Sequence, residues 1–416
     1  MRMISRPKIT EVFTPRSSEV NSSMYVARPF LEKLLKRGLN RNSHLLISGE
    51  SGNGKSWLFK KVLTDENIPF VVANSGNASR LGSVTSEICN CIISPGTVTK
   101  LGFSEEKAAE IGAMLARGSL KHSGQYQLAQ EEPLLKAFRL FSKHSARKKI
   151  IVLDNLESIF SSEELMDELA DIILLLDDAR YAECNVNLLI VGIPHDVLRY
   201  FRITKNAESV ANRIMEIDPV TGLEKKQVDE LVKKGFAQLR ISITESSRQK
   251  IVSHIYDITL GIAQRVHEYC EWLACAVEEN DWKYNADLLE LADSDWLHQS
   301  LRNCYQAIEG HLNSRETTVA RRNQVIFCIG KISTHQFDSS NIDSMIRREF
   351  PGTVARTGMG IGSILNDLSS GDLPLLTRNE RNNNYVIRDP RYLMCIRMML
   401  YKRKEDQKVA KKNFVR

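Results

Sequence analysis

Five short apolar runs punctuate the first half of the chain: Leu45 to Ile47, Phe70 to Val72, Ile150 to Leu153, Leu188 to Val191 and Ile214 to Ile217. Each has the length of a strand buried on both faces and is too short for a core helix. Polar and apolar positions between them recur at helical spacing, as in Pro29 to Arg37, where Phe30, Leu31, Leu34 and Leu35 share one side. Strands that alternate with helices predict an α/β unit, a parallel sheet with helices on both faces. An insert from Ala78 to Gln130 carries helical segments at Val84 to Ile93 and Ser104 to Leu115, with a Gly/Ser/His-rich break after Arg117.

The pattern changes at Leu223. From there to Glu279 the period is helical throughout, with no strand candidate, which reads as a small helical lid. A third region begins near Asn285. Val319 to Ile332 and Asn341 to Phe350 read as helices, the second with Ser339 and Ser340 as candidate caps. Gly360 to Leu368 reads as a third helix. The strings LPLLT and YVIRD then flank the polar turn RNERNNN and predict a hairpin. Three helices and a hairpin are the parts of a winged helix. The expected organisation is an extended arm at 1–23, an α/β domain at 24–221, a lid at 222–284, a winged helix at 285–400 and a basic tail at 401–416. No internal repeat is visible.

A chain of 416 residues suits two or three domains, and 42% hydrophobic with 26% charged residues is ordinary globular composition. The longest apolar candidate for a membrane, Ile172 to Leu176, stops at Asp177, far short of a span. The start, MRMISRPKITEVF, has no apolar core of a secretion signal. Eight cysteines lack metal-ligand or CxxC spacing, so reduced thiols and a cytoplasmic location are expected. The formal charge is +6, and the last 16 residues hold seven Lys/Arg against two acids, a net of +5. Such a tail serves nucleic acid or solubility.

Candidate chemistry sits at two strand ends. LLISGESGNGKS contains Gly49, Glu50, Ser51, Gly52, Asn53, Gly54, Lys55, Ser56 and then Trp57, a full GxxxxGKS phosphate loop between a predicted strand and a predicted helix. Its glycines let main-chain N–H groups turn toward phosphate oxygens, Lys55 suits the β- and γ-phosphates, and Ser56 suits Mg²⁺. About a hundred residues on, IIVLDNLES delivers Asp154 to a strand end, where it can hold Mg²⁺. Asn155 follows, where a catalytic glutamate is usual in such enzymes. An asparagine orients a water but cannot take its proton. Glu157 is either a substitute base or a helix-start carboxylate.

With these residues the chain resembles AAA+ ATPases of the origin-recognition/initiator branch and the related STAND-like bacterial ATPases with an LDNLE-type second motif. The likeness covers roughly residues 12 to 275 and implies an ATP- and Mg²⁺-dependent ATPase that forms homo-oligomers. It further implies that EVFTPRSSEVNSSMYVARPFLEKL helps cradle adenine, with Tyr25, Val26 and Arg28 at the matching positions. NLLIVGIPHDV resembles the strand that senses the γ-phosphate, with His195 in the place of an asparagine. ESVANRIMEIDP resembles the segment of the arginine finger, with Arg213 as the finger or as a helix-end arginine in a salt bridge. In GIAQRVHEYC the family's second sensor position holds Gln264, and Arg265 comes one residue later. One residue turns a helical side chain by about 100°. Two weakened elements, Asn155 and Gln264, imply slow hydrolysis and a nucleotide-timed switch.

The C-terminal module leaves two partners open. Its candidate recognition helix, GIGSILNDLSSGD, is poor in cations, while Arg321, Arg322, Arg347, Arg348, Arg356, Arg378 and Arg381 surround it. They either grip duplex DNA through phosphates or form the solvated face of a module that docks a protein effector. The resemblance admits DNA-guarding defence ATPases as well as STAND-like antiviral or signalling switches.

Overall fold

The computed structural model describes residues 6–41, 43–94, 112–113, 132–143, 148–193, 201, 204–313, 319–334, 336–355, 358–379 and 382–414. Most of the helix expected at Ser104 to Leu115 lies outside these residues, as do His195, Arg356, Arg381 and Arg416. The chain forms two compact units. The sheet unit comprises Ser17–Val20 and Tyr25–Thr221, and the helical unit comprises Met1–Arg16, Asn21–Met24 and Gly222–Arg416.

In chain order the first elements are α1 Ile9–Val12, α2 Pro29–Leu39, β1 His44–Ser48, α3 Lys55–Asp65, β2 Phe70–Asn74, α4 Ser75–Leu81, α5 Val84–Ile93, α6 Pro133–Ser142, β3 Lys149–Asp154, α7 Glu163–Leu175, α8 Ala179–Ala182, β4 Val186–Gly192, α9 Ala207–Ala211 and β5 Ile214–Ile217. All five strands fall on the five apolar runs. They pair in parallel in the order β2-β3-β4-β1-β5.

Alternation along the strands explains why both faces need helices. Leu45, Ile47, Ile150, Val152, Leu189 and Val191 join one core with Leu31 and Leu35 of α2 and Leu58, Phe59 and Val62 of α3. Their neighbours Leu46, Ile151, Leu153, Leu188 and Ile190 point the other way, to Ile88 of α5, Phe138 of α6 and Leu169 of α7. A strand apolar at every position is thereby buried at every position. This arrangement brings the carboxyl ends of β1, β2 and β3 to one edge, where Asn74 and Asp154 stand side by side.

The helical unit continues with α10 Lys225–Gln238, α11 Glu245–Thr259, α12 Ala263–Glu279, α13 Asp287–Asp295, α14 Arg302–His311, α15 Arg321–Gly330, β6 Gln336–Phe337, α16 Ser339–Glu349, α17 Ile361–Leu368, β7 Leu376–Asn379, β8 Asn384–Ile387, α18 Pro390–Met399, β9 Leu400–Lys402 and β10 Val409–Lys411. Strands β6, β8 and β7 form an antiparallel sheet in that order. The hairpin follows the two apolar strings, and β6, only two residues long, escapes sequence reading. No helix among the described residues is long and apolar enough to cross a membrane.

Three expectations need correction. The stretch read as an extended arm carries α1, and its Phe13 is fully buried against Gly235 and edge-on to His267. The cap of α16 is Asp338 rather than Ser339 or Ser340. The Asp338 carboxylate accepts from the Asn341 N–H at 2.8 Å while the Asn341 side chain accepts from the Asp338 N–H, a reciprocal box that fixes Asp338 as the cap. The basic tail is a folded hairpin, β9 against β10, in which Arg403 pairs with Asp406 and Lys411 with Glu309.

Burial of Phe13 gives a direct test of that first correction. Phe13→Ala should cost the helical unit about 3–5 kcal/mol by opening a cavity. Gly235→Ala, whose Cβ would stand 2.2 Å from the Phe13 ring, should cost about 1–3 kcal/mol by overpacking. Thermal unfolding reads both, and unchanged midpoints would mean that residues 6–16 do not dock.

Candidate functional site

Strand β1 ends at Ser48 and the chain turns back through Gly49 to Gly54 before α3 begins at Lys55. Gly49, Gly52 and Gly54 adopt φ of 156°, 83° and 90°, where a side chain is strained. At Gly49 the constraint is also steric, because an added Cβ would meet the Val220 carbonyl oxygen at 2.4 Å. Val220 in turn donates its N–H to Ser48 O at 2.8 Å. The loop thus wraps a main-chain neighbour that only glycine admits.

Lys55 lies inside this turn, with Nζ donating to Gly49 O at 2.6 Å and to Glu50 O at 3.2 Å. Burial holds its ammonium below the ordinary lysine range, opposed by the carboxylates of Glu157, Asp154 and Glu50 in that order. Three carboxylates therefore share the field of one lysine, and Glu157 contributes most. Ser56 follows in the first turn of α3, half-buried, while Glu50 and Ser51 are exposed. Trp57 donates its indole N–H to Ser17 O at 3.1 Å.

Asp154 closes β3, half-buried, with Oδ1 accepting from the Asn155 N–H at 2.9 Å. Asn155 is exposed and left-handed, φ 58°, before the 3₁₀ turn Leu156–Ile159 that carries Glu157. Asparagine enters this region more readily than glutamate does. The residue at 155 thus answers a backbone demand as well as a chemical one.

Arg28 is 9% exposed, and its guanidinium donates to main-chain oxygens: Nη1 to Thr221 at 2.7 Å and Nη2 to Asn53 at 2.8 Å. The Tyr25 hydroxyl donates to Glu32 Oε1, which also accepts the Arg28 N–H. The segment expected to cradle adenine therefore spends its arginine on the phosphate loop itself.

Arg213 stands at the other end of the sheet. Ile214 aligns with His44 at the start of β1, about 15 Å of strand from the loop. Its guanidinium donates to Asp177 at 2.5 Å and to Ser209 O at 2.6 Å. No phosphate on its own loop is within its reach. Gln264 and Arg265 belong to α12 of the helical unit, where Arg265 donates to Glu268 at 2.6 Å. His195 lies outside the described residues.

Asp177, Val220 and Thr221 were not singled out as site residues. Asp177 had one signal, a charge that breaks an apolar run. The other two act through carbonyl oxygens, which no side-chain pattern reveals.

Residues 39–201 match the family model described as AAA domain. This stretch is similar to AAA domains. No curated protein matches the chain in sequence. Solved structures similar in chain trace include a Walker-type ATPase of Pyrococcus abyssi, at 15% identity over 90% of this chain and 96% of that one, with a TM-score of 0.47. The ORC2 protein of Aeropyrum pernix, in ADPNP-ADP complexes, matches at 15% identity over 88% and 91% with a TM-score of 0.47. The ORC1 protein of Aeropyrum pernix in complex with DNA matches at 11% identity over 94% and 96% with a TM-score of 0.42. These are likenesses of trace and nothing more. The matched stretch contains the phosphate loop, Asp154, Asn155 and Glu157, while Arg28 and Arg213 flank it in sequence.

A buried histidine in the same domain yields a stability test. His44 is 3% exposed and accepts from the Leu188 N–H through Nδ1. Burial pushes its pKa down to about 4, with the Asp177 carboxylate opposing. The folded state then stays neutral while the unfolded chain takes up a proton near pH 6.5, so stability is present above 6.5 and lost as pH falls towards 4. The loss is about 3 kcal/mol across that window. Since His267, also pushed down to about 4, titrates alongside, the readout is a difference. His44→Asn, which keeps an acceptor for Leu188, should flatten the acid limb of denaturant-measured stability relative to the parent.

Proposed function

We propose that the chain is a slow ATPase, an AAA+ switch that assembles with copies of itself when it holds ATP. The observation that carries this reading is Lys55 inside the loop, under the field of Glu157 and Asp154, with Asn155 at the usual position of the base. The residues fit a magnesium nucleotide: glycines open the cradle, Lys55 supplies positive charge, and Ser56 and Asp154 would hold Mg²⁺. The metal's chemistry there is to neutralise charge on the β- and γ-phosphates. In hydrolysis a water oxygen bonds to the γ-phosphorus, the bond to the β-bridging oxygen breaks, and the water's proton passes to a base. Glu157, the carboxylate that acts most strongly on Lys55, is the candidate for that base, with Asn155 orienting the water. Arg213 would serve a neighbouring copy after exchanging Asp177 for that copy's phosphate, which makes assembly and hydrolysis interdependent.

The order helix, strand, helix, helix, strand, strand over residues 321–387 supports reading the C-terminal module as a winged helix that holds duplex DNA through phosphates. A second reading, docking of a protein effector, is favoured by the state of the arginines. Arg322 pairs with Asp367, Arg347 with Asp343 and Arg348 with Glu349, while Arg378 donates to Asn366 and Asn383. Exposed pairs of this kind are worth at most about 1 kcal/mol, so phosphates can still displace the acids.

Turnover measurements separate the parts. Lys55→Ala should abolish ATP binding in calorimetry. Glu157→Gln should lower turnover about tenfold to a hundredfold or more with binding intact, as expected when a general base is removed. Asn155→Glu should raise turnover if the missing base limits the rate, at a cost of about 1 kcal/mol for a left-handed glutamate. An unchanged rate in Glu157→Gln would remove that residue from the mechanism. For the partner, duplex retention that falls steeply between 50 and about 200 mM salt supports DNA, and no retention at low salt leaves the effector reading.

A further inference from the structure

A nine-tenths buried arginine ordinarily sits against a carboxylate, because an unpaired buried cation costs several kcal/mol. Arg28 is buried to that extent, yet it makes no ion pair among the described residues. Both arms of its fork end on carbonyl oxygens, Asn53 O in the phosphate loop and Thr221 O beyond β5. The Asn53 side chain, 4% exposed, repeats the link in reverse and donates Nδ2 to Val220 O at 3.0 Å. Its own Oδ1 is buried with no hydrogen-bond partner among the described residues. With Val220 N–H on Ser48 O, four hydrogen bonds, two of them through Arg28, and the bare Cα of Gly49 fasten the end of β1 and the loop to residues 220–221.

We infer that Arg28 is a positioning residue for phosphate binding, acting through the main chain of the loop rather than on the base. A carbonyl fixed by a guanidinium points away from the cradle, and the peptide plane that carries it turns the following N–H, that of Gly54, into the cradle. The same reasoning gives Asn53 the task of holding the opposite side of that turn. Burial explains the choice of arginine: a planar fork reaches two carbonyls in fixed directions, which a lysine ammonium does not reproduce. The inference rests on the loop being a phosphate site, and it replaces the adenine contact implied for Arg28 by the family resemblance.

The two roles part on a ligand that has no base. Inorganic pyrophosphate and ATP are titrated calorimetrically into the full chain and its variants Arg28→Lys, Arg28→Ala and Asn53→Ala. A positioning role predicts that Arg28→Ala weakens both ligands by one common factor, roughly tenfold to a hundredfold. Guanidinium chloride at tens of millimolar, against sodium chloride at equal strength, should restore part of the loss in Arg28→Ala and none in Asn53→Ala. Wild-type pyrophosphate affinity in the Arg28 variants, with ATP alone weakened, would return Arg28 to the base and overturn the inference. If those variants do not fold, hydrogen exchange on the wild-type chain decides: saturating pyrophosphate should slow the Val220 amide, and an unaffected Val220 refutes the link. Failure of the wild-type chain to bind either ligand brings down the nucleotide reading as well, whereas binding that is insensitive to Arg28 brings down this inference alone.

Discussion

The approach of the Val220 carbonyl to the Cα of Gly49 is the contact on which the candidate site depends. It forces a glycine at the first position of the turn, and it sets a main-chain oxygen where Asn53 can donate to it. It also places Thr221 where Arg28 can bind. Without it the loop would be a flexible glycine-rich turn whose N–H groups have no fixed direction. With it, the lysine-bearing end of α3 and the aspartate end of β3 face one space, and electrostatics among Lys55, Glu157 and Asp154 follows from that placement.

The α/β part of the fold is legible because its central runs, Leu45 to Ile47, Ile150 to Leu153 and Leu188 to Val191, are apolar at every position, a pattern that a parallel sheet with two covered faces demands. The edge strand β5 carries the exposed Glu216. The phosphate loop was equally legible, since its glycines are required by φ angles no other residue adopts easily. What the sequence concealed are interactions through the main chain and interactions whose partner is far along the chain. Nothing in the side chains of Val220 or Thr221 marks them. Phe13 reads as one more apolar residue in a polar arm until Gly235 is seen beneath it. The cap of α16 lies one residue before Ser339 and two before Ser340 because three successive cap-forming side chains, Asp338, Ser339 and Ser340, compete, and only the reciprocal bond with Asn341 decides among them.

Asn155 shows how one letter can carry two messages. Read as chemistry, it is a base that is absent. Read as conformation, it is a residue suited to φ 58°, which the chain needs in order to pass from β3 into the 3₁₀ turn that carries Glu157. The two readings are compatible: the same left-handed asparagine leads the chain from β3 into the turn that holds Glu157 two residues on. Arg213 has a similar double reading. Its ion pair with Asp177 holds the guanidinium at the base of the sheet in the free chain, and the same exposure leaves it open to a competitor.

The hairpin of β9 and β10 alters what the terminal cations can accomplish. A loose polycation sweeps a volume and attracts any surface of opposite sign, with little regard for shape. Anchored on a two-stranded ribbon, with Lys411 already on Glu309 and Arg403 on Asp406, the same charges become stations at set spacings, some of them spoken for. Charge on such a ribbon is presented from fixed backbone positions rather than averaged over the volume a loose terminus would explore.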